Sequence, residues 1–309
     1  MTHASSSREG LGSRAEVPAR VSVIVNPLAG DGRTGRALPE VEAALAQRQL
    51  AYHVETTSSL EHAGELARDA LAAGETAVAF GGDGLIGAVA DALKYTDGIL
   101  GVLPGGRGND FARMLRIPLH PGAACEVLSS GVIRSLDLGQ VGSKTFVGIA
   151  SCGFDSDANR IANETRIVRG TFVYAYGALR ALAGWRPATF RVVIDGGEPR
   201  TVTGYSVAAA NSQVFGGGMF LAPEASLQDG LLDVVTISDM PRLRFLRLLP
   251  TVFKGEHVRH RVVEVRRATR LEISADRPFT MYADGEPVGE LPLTVRPLPG
   301  AVRTLVPAG

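Results

Sequence analysis

Val78-Ala79-Phe80-Gly81-Gly82-Asp83-Gly84-Leu85-Ile86-Gly87-Ala88-Val89 sets the reading of the whole chain. A short apolar run ends in three glycines around one aspartate, and a pattern with helical spacing follows at once. That is a strand, a tight glycine loop and a helix start. Glycine lets a ligand approach the backbone closely, and a helix N-terminus offers free N–H groups and partial positive charge to an anion. The loop therefore has the form of a phosphate cradle carrying one carboxylate. Taken alone, it also fits an ordinary tight βα turn.

The flanking sequence repeats the pattern. Val21 to Val25 is a β-branched run stopped at Asn26-Pro27, where proline lacks an N–H. The loop Leu28-Ala29-Gly30-Asp31-Gly32-Arg33-Thr34-Gly35 follows, then a helix expected from Leu38 to Gln49. A strand (Ala51 to Thr57), a helix (Glu61 to Ala73) and a strand (Thr76 to Phe80) lead into the opening loop. The next helix ends near Leu93. Ile99 to Leu103 is a fourth strand, ended by Pro104-Gly105-Gly106-Arg107-Gly108-Asn109-Asp110, with a helix capped by Asn109 or Asp110. Such alternation implies parallel strands joined by right-handed crossovers, with ligands beyond their carboxyl ends. The glycine-rich loops at 26–35, 81–84 and 104–110 are thus expected to converge. None is a Walker loop or a clean dinucleotide fingerprint.

After about residue 130 the pattern changes to strands with turn signals: Arg134 to Gln140, Thr145 to Cys152, Thr189 to Asp195, Val202 to Ala210, Leu232 to Ile237, Val262 to Val265, Arg270 to Ser274 and Phe279 to Ala283. This predicts an antiparallel sandwich or barrel, with helical interruptions near Ile167 to Ala183 and Leu243 to Phe253. The expected organisation is a disordered tail over residues 1–20, an α/β domain over 21–132 and a β-rich domain over 133–293.

Bulk properties narrow the class. With 32 basic and 32 acidic residues in 309, no global field draws the chain to nucleic acid or an anionic membrane. The two cysteines, Cys125 and Cys152, give no disulfide framework and suit a reducing compartment; Cys152 lies in an apolar run and reads as a buried, inert thiol. The first 20 residues lack the apolar block of a secretory signal, and no stretch approaches the roughly 18 apolar residues of a spanning helix. A cytoplasmic protein is expected, peripheral at a membrane at most.

Seven pieces carry a family resemblance: Asn26-Pro27-Leu28-Ala29-Gly30; Gly81-Gly82-Asp83-Gly84; Pro104 through Ala112; Gly153-Phe154-Asp155; Gly216 through Pro223; Asp229-Gly230-Leu231-Leu232-Asp233; and Asp284-Gly285-Glu286. In this order they resemble the catalytic domain of the diacylglycerol kinase family, which includes bacterial soluble lipid kinases and sphingosine and ceramide kinases. The resemblance implies a phosphofructokinase-like α/β nucleotide domain, a β-rich sandwich domain that takes the lipid substrate, and an active site in the cleft between them. It implies that the last residues, Thr294 to Val306 here, return to the first domain. The implied activity is transfer of the γ-phosphoryl group of ATP, with Mg2+, to a lipid hydroxyl such as that of diacylglycerol. A homodimer is left open.

Carried over by resemblance, Asn26, Pro27, Leu28, Ala29, Gly30, Thr57 and Gly81, Gly82, Asp83, Gly84, Leu85, Ile86 and Gly87 map onto nucleotide contacts. Arg33 reads either as a phosphate ligand or as a solvated helix-start residue, and Thr57 either as a contact or as a strand end. Glu286 matches the proton acceptor, with Asp83 as organiser of metal or phosphate. A loop-capping aspartate and a hairpin turn are the plainer readings, since Asp-Gly favours turns. Asn109, Asp110, Asp155 and Asp284 form the expected polar network, Asp110 also fitting a helix cap. The Ser226 carbonyl, Asp229 and the Leu231 carbonyl match a structural Mg2+ site, against the alternative of a simple Asp-Gly turn.

The chain departs from the family where Leu85 replaces a frequent Thr and Gly87-Ala88 replace Asn-Glu. Arg107 replaces a small or hydroxyl residue and could add a phosphate contact. Residues 241–270 hold nine Lys or Arg and an apolar set (Leu243, Phe245, Leu246, Leu248, Leu249, Val252, Phe253), which suits either membrane contact or a helix packed on the second domain. His257 and His260 lack a third ligand and are expected at the surface; Trp185 is expected to pack. NAD kinase, which shares Gly-Gly-Asp-Gly, and a non-catalytic lipid-binding protein are the rival readings.

Overall fold

The structure, a computed structural model, describes residues 20–164 and 172–308. The tail expected over residues 1–20, apart from Arg20, and the start of the helix expected at Ile167 lie outside them. The first half runs β1 (Arg20–Val25), α1 (Ala29–Gln47), β2 (Ala51–Thr56), α2 (Leu60–Ala72), β3 (Thr76–Gly81), α3 (Asp83–Leu93), β4 (Ile99–Pro104), α4 (Asp110–Met114) and α5 (Pro121–Ser130). β1 lies between β2 and β3, and β3 beside β4, all parallel. Every residue of β3 is buried, as in a strand covered on both faces by helices. Small residues on α2 (Ala63, Gly64, Ala67, Ala70) bring it close to α3, whose Ile86, Val89 and Leu93 fill the core. α1 starts earlier than the sequence pattern suggests. Gly30, Asp31 and Gly32 take positive φ (60°, 61° and 77°), and regular helix begins at Arg33.

The second half runs β5 (Val132–Val141), β6 (Lys144–Phe146), β7 (Ile149–Gly153), α6 (Phe154–Glu164), α7 (Phe172–Gly184), β8 (Ala188–Ile194), β9 (Arg200–Ala210), β10 (Val214–Phe215), β11 (Met219–Phe220), β12 (Leu232–Ser238), α8 (Arg242–Val252), β13 (Val263–Ala268), β14 (Leu271–Ala275), β15 (Thr280–Ala283), β16 (Glu286–Glu290) and β17 (Leu293–Val306). Fifteen strands form one sheet along the path β16-β15-β7-β9-β8-β14-β17-β4-β3-β1-β2, with β12 on β9, β13 on β12, β5 beside β17 and β6 on β5, while β10 and β11 pair separately. Two buried clusters result, one around β1, β3 and β4, the other around β7, β8, β9, β12 and β14. The architecture is an N-terminal α/β domain and a C-terminal β-sandwich-like domain.

β17 belongs to both clusters. Its Val295 packs in the second, while Leu298, Ala301, Val302 and Leu305 pack in the first. It runs parallel to β4 through Arg303 and Thr304 and antiparallel to β5 and β14. β5 is shared in the same way: Leu136 and Leu138 face the first cluster and Val141 the second.

Two expectations need correction, and one helix had no counterpart in the sequence pattern. The single strand over Thr145 to Cys152 is two strands, interrupted where the Val147, Gly148 and Ile149 amides turn to a side chain. The stretch after Gly153 is helical as α6, which its polar composition did not announce. His257 is fully buried, its Nε2 2.9 Å from the Leu221 carbonyl, and burial lowers its pKa; only His260 is exposed. Trp185 packs as expected, stacked at 6.0 Å on Tyr205, which itself stacks at 4.0 Å on Phe245 of α8. Both cysteines are buried, and burial raises both thiol pKa values.

Asp137 on β5 closes the seam between the halves. It is 3% exposed. Its carboxylate accepts from the Gly230 N–H at 2.7 Å and the Gly300 N–H at 2.6 Å. Its main-chain N–H donates to Leu227, and its carbonyl accepts from the Asn211 side chain. Asp137→Ala leaves two part-buried donors unmade and is expected to destabilise the protein by about 2–4 kcal/mol, with Asp137→Asn, which keeps one acceptor, losing less. Urea unfolding measures this; equal midpoints for wild type and the alanine variant would refute it.

Candidate functional site

Three loops leave the carboxyl ends of β1, β3 and β4, and their backbones touch. The Gly105 and Gly106 N–H groups donate to the Gly81 carbonyl at 2.8 and 3.1 Å. A Cβ on Gly106 would lie 2.5 Å from Gly82 Cα, and one on Gly105 would overlap Thr34. Side chains are excluded there because the Gly82 backbone and the Thr34 side chain already fill the space, the use to which glycine is put when two chain segments approach closely.

Polar side chains fasten the same loops. Asn26 Oδ1 accepts from the Leu28 N–H at 3.0 Å, and the Asn26 carbonyl accepts from the buried Thr34 hydroxyl. Arg33 donates to the Gly30 carbonyl at 2.8 Å and to the Gly106 carbonyl at 3.0 Å, so its guanidinium bridges the first and third loops. Arg107 pairs with Asp31 at 2.7 Å across the same gap. Asn109, in a left-handed conformation (φ 53°), accepts from the Gly106 N–H at 2.7 Å and returns a bond to the Gly106 carbonyl. Asp83 accepts from the Phe111 N–H at 3.0 Å, tying the second loop to the start of α4.

Other residues of the nucleotide set are committed elsewhere. The Leu85 and Ile86 side chains are buried in the first core, which leaves only their backbone to face the loops. Leu28 is 81% exposed at the loop tip. Thr57 is buried, and its hydroxyl donates to the Ser59 carbonyl at the end of β2.

The second domain reaches this surface at two points. Asp110 of α4 accepts from the Gly217 N–H at 3.0 Å. Asp284-Gly285 forms the two-residue turn between β15 and β16, with positive φ of 49° and 90°. The Asp284 side chain does not cap that turn. It accepts the N–H groups of Val147 at 2.7 Å, Gly148 at 2.9 Å and Ile149 at 3.1 Å. A Cβ on Gly87 of α3 would stand 4.0 Å from its Oδ2. Glu286, two residues on, is exposed. Asp155 lies in the first turn of α6, its Oδ2 buried and the Ser206 side chain beside it as hydrogen-bonding neighbour.

The carboxylates of this surface act on one another. Burial pushes the Asp284 pKa up to about 7, opposed by the three amides and assisted by the charge of Asp83. Asp110 rises to about 6, from burial against the Gly217 amide, again with Asp83 assisting. Asp155 rises to about 6 through burial. A cleft holding Asp83, Asp110 and Asp284 together with Arg33 and Arg107 can seat a polyanion on the loop amides and discriminate protonation states beside it.

The 226–231 loop lies apart from these groups. Asp229 is exposed, and its Oδ1 accepts from the Leu231 N–H at 3.1 Å, the geometry of an Asp-Gly turn. Its other oxygen is open to a further ligand. Nearby Asp233 has a buried Oδ2 without a hydrogen bond, and the charge of Asp229 helps burial raise its pKa. One exposed carboxylate and two loop carbonyls (Ser226, Leu231) are hard oxygen donors of the kind Mg2+ takes, while Asp233 is paired through Oδ1 with Arg267 at 3.6 Å. No cluster of three or more His, Cys, Asp or Glu suited to a metal occurs among the described residues.

Four groups escaped the sequence reading: Thr34, Asp137, Asn211 and Ser212. Asn211 and Ser212 donate their main-chain N–H groups to the Gly148 carbonyl, and the Asn211 amide reaches Val147. They steady the strand break on which Asp284 sits. Asp137, Asn211 and Ser212 carry a signal, a polar residue set in or beside an apolar run, and Thr34, between Arg33 and Gly35, carries none; none of the four belongs to a motif.

Two family models match the chain: diacylglycerol kinase catalytic domain over residues 20–141, and YegS C-terminal NAD kinase beta sandwich-like domain over residues 148–306. A Mycobacterium tuberculosis protein named diacylglycerol kinase is 34% identical over 295 residues, covering 93% of this chain and 95% of its own. A Bacillus subtilis protein of the same name is 29% identical over 282 residues, covering 88% and 91%. The solved structure of a diacylglycerol kinase from Bacillus anthracis superposes with a TM-score of 0.72 at 18% identity, covering 94% of this chain and 98% of that one, a likeness of fold.

The raised pKa of Asp284 has a sign that can be measured. A carboxyl whose folded pKa exceeds its unfolded value of 3.8 contributes stability that is full below that value and is lost as pH rises through about 7. The stability advantage of wild type over Asp284→Asn is therefore expected to shrink as pH rises from 3.8 to about 7 and to level off above that. Denaturant titrations of both proteins across that window test it; an advantage that holds constant would mean the carboxylate is charged throughout.

Proposed function

The chain belongs to the diacylglycerol kinase catalytic-domain family of lipid kinases, and on that premise we propose that it transfers the γ-phosphoryl group of ATP to the hydroxyl of diacylglycerol or a closely related lipid. The observation that carries this reading is the meeting of the three glycine loops with the Asp284-Gly285-Glu286 turn, a phosphate cradle facing a carboxylate from the other domain.

In this reading the loop backbones at Asn26 to Gly30 and Gly81 to Gly84, with the first turn of α3 through Gly87, hold phosphate oxygens by N–H donation. Arg33 already lies against both outer loops and supplies charge in the two-point geometry that guanidinium gives phosphate; Arg107 adds to it. Gly87-Ala88, in place of a polar pair, leaves the cradle dependent on these arginines. Glu286 takes the proton of the lipid hydroxyl as its oxygen attacks the γ-phosphorus, and the bond to the β-phosphate oxygen breaks to release ADP. Asp83 organises the phosphate side of the reaction. Asp284 positions Glu286 by fixing the turn that bears it. Asn109, Asp110 and Asp155 complete the polar lining. Mg2+ bound by Asp229 with the Ser226 and Leu231 carbonyls would supply a fixed charge that braces the 226–231 loop.

Access to a bilayer substrate is read from α8. Phe245 and Leu248 are buried in the second core, Leu246 and Leu249 pack against it, and Val252 is buried, so most of the apolar set is spent on packing. Leu243 and Phe253 remain 60% and 57% exposed, beside exposed Arg244, Arg247 and Lys254. Basic residues around apolar tips suit transient contact with an anionic surface.

Purified protein is expected to label a lipid from radiolabelled ATP in a panel of diacylglycerol, monoacylglycerol, sphingosine, phosphatidylglycerol and NAD. Glu286→Gln is expected to lower turnover by about 100-fold or more, and Asp83→Asn to lower it too. Label on NAD alone, or full activity in both variants, would overturn the assignment. In vesicle flotation the wild type is expected to bind phosphatidylglycerol vesicles at low salt, and Arg244→Gln/Arg247→Gln/Lys254→Gln to lose that binding. A wild type that never floats would remove α8 from the membrane.

A further inference from the structure

A cleft of about 640 Å3, lined by none of the glycine-loop residues, opens on strands β5, β8, β14 and β17. Side chains alternate along these strands. Val192, Leu271, Ile273 and Val295 point into the second core, so Arg191, Glu272, Ser274, Thr294 and Arg296 stand on the opposite face. The pairings Ser274 with Arg191, Glu272 with Thr294 and Arg296 with Gln140 place them in adjoining rows, and Arg270 precedes β14 at the same end as Arg296. All seven polar residues line the cleft.

Their chemistry is one-sided. Arg191, Arg270 and Arg296 face a single carboxylate, Glu272, which Arg270 holds at 3.0 Å. Arg296 donates to the neutral Gln140 amide at 2.8 Å. Arg191 has no side-chain partner among the described residues. Two positive charges are thus left uncompensated in a concave site, in a chain whose formal net charge is zero. Scattered surface arginines usually alternate with acids; three around one concavity raise the local concentration of anions. Guanidinium forks match tetrahedral oxyanions, and the Ser274 and Thr294 hydroxyls add donors. The volume lies within the roughly 300–1,000 Å3 of small-molecule sites, which is more than a bare phosphate ion fills.

We propose that this cleft is a second ligand site, which binds the phosphate group of a phosphate ester. It shares no residue with the glycine loops, the Asp284 turn or the 226–231 loop, and it stands whether or not the kinase reading does. The ester could be a soluble metabolite or the headgroup of a phospholipid, since both present the same oxygens.

The test uses the full chain with the glycine loops saturated by a non-hydrolysable ATP analogue. Glycerol 3-phosphate is titrated calorimetrically, and flotation with phosphatidic acid vesicles is run in parallel. Binding of the soluble probe identifies a soluble ester as sufficient; binding of vesicles alone identifies the lipid headgroup. Either supports the proposal provided that Arg191→Gln/Arg296→Gln weakens it by about tenfold or more, with the unfolding midpoint of the protein unchanged. Glu272→Gln is expected to tighten binding, because it frees Arg270 and removes the opposing charge, a gain that no misfolded variant would show. Binding of neither probe, binding abolished by the ATP analogue, or binding unchanged by both variants would overturn the proposal.

Discussion

One carboxylate accepting three consecutive backbone N–H groups sets the relation of the two halves. Asp284 stands at a hairpin turn, yet its bonds go to Val147, Gly148 and Ile149, on a chain segment about 135 residues away. Those amides would otherwise continue a strand. Withdrawing them from the ladder breaks the strand, and the break admits Asn211 and Ser212 to the Gly148 carbonyl. The hairpin is thereby held at the mouth of the first domain, and Glu286 with it. A buried acid left unpaired costs several kcal/mol; three amides offset that cost and fix the side chain to one direction. Stability and site geometry here rest on the same bonds.

The electrostatics of the cleft follow from that arrangement. Asp83 raises the pKa of both Asp110 and Asp284, so the carboxylates of the site oppose one another's ionisation. Nucleotide phosphates would add negative charge. The opposing elements are the loop amides, the start of α3, Arg33 and Arg107, and each arginine is engaged with another loop. The positive side of the site is thus also the side that clasps the loops together. A chain with no net charge can hold a polyanion this way because only the local field matters at such distances.

What the sequence disclosed was local, and what it withheld was long-range. The glycine loops could be read because steric exclusion at Gly105 and Gly106 leaves a mark in the residue type itself, and the buried runs of β1 and β3 could be read because both faces are covered. β17 could not be read from its own residues: Pro297, Pro299 and Gly300 interrupt its pattern, and a register shift lies between Leu298 and Val302. His257 looked like a surface residue because its acceptor, Leu221, is 36 positions away. Asp137 carries no motif, only the oddity of an acid between Leu136 and Leu138. The apolar set of α8 was visible, but whether it met protein or lipid depended on Tyr205 and Phe154, which nothing nearby foretells.

The shared strand also bears on how such a chain can be made. β4 and β5 each need β17 as a neighbour, and β17 leaves the ribosome after every strand it pairs with. Until then the N-terminal domain exposes an unpaired edge on both strands, a hazard for association with other chains. Contacts between residues 132–141 and 293–306 close a loop of more than 150 residues, which favours slow, late completion over domain-by-domain folding during synthesis. The two halves are separate in architecture but not in time, so neither is a self-sufficient module that recombination could move to another protein.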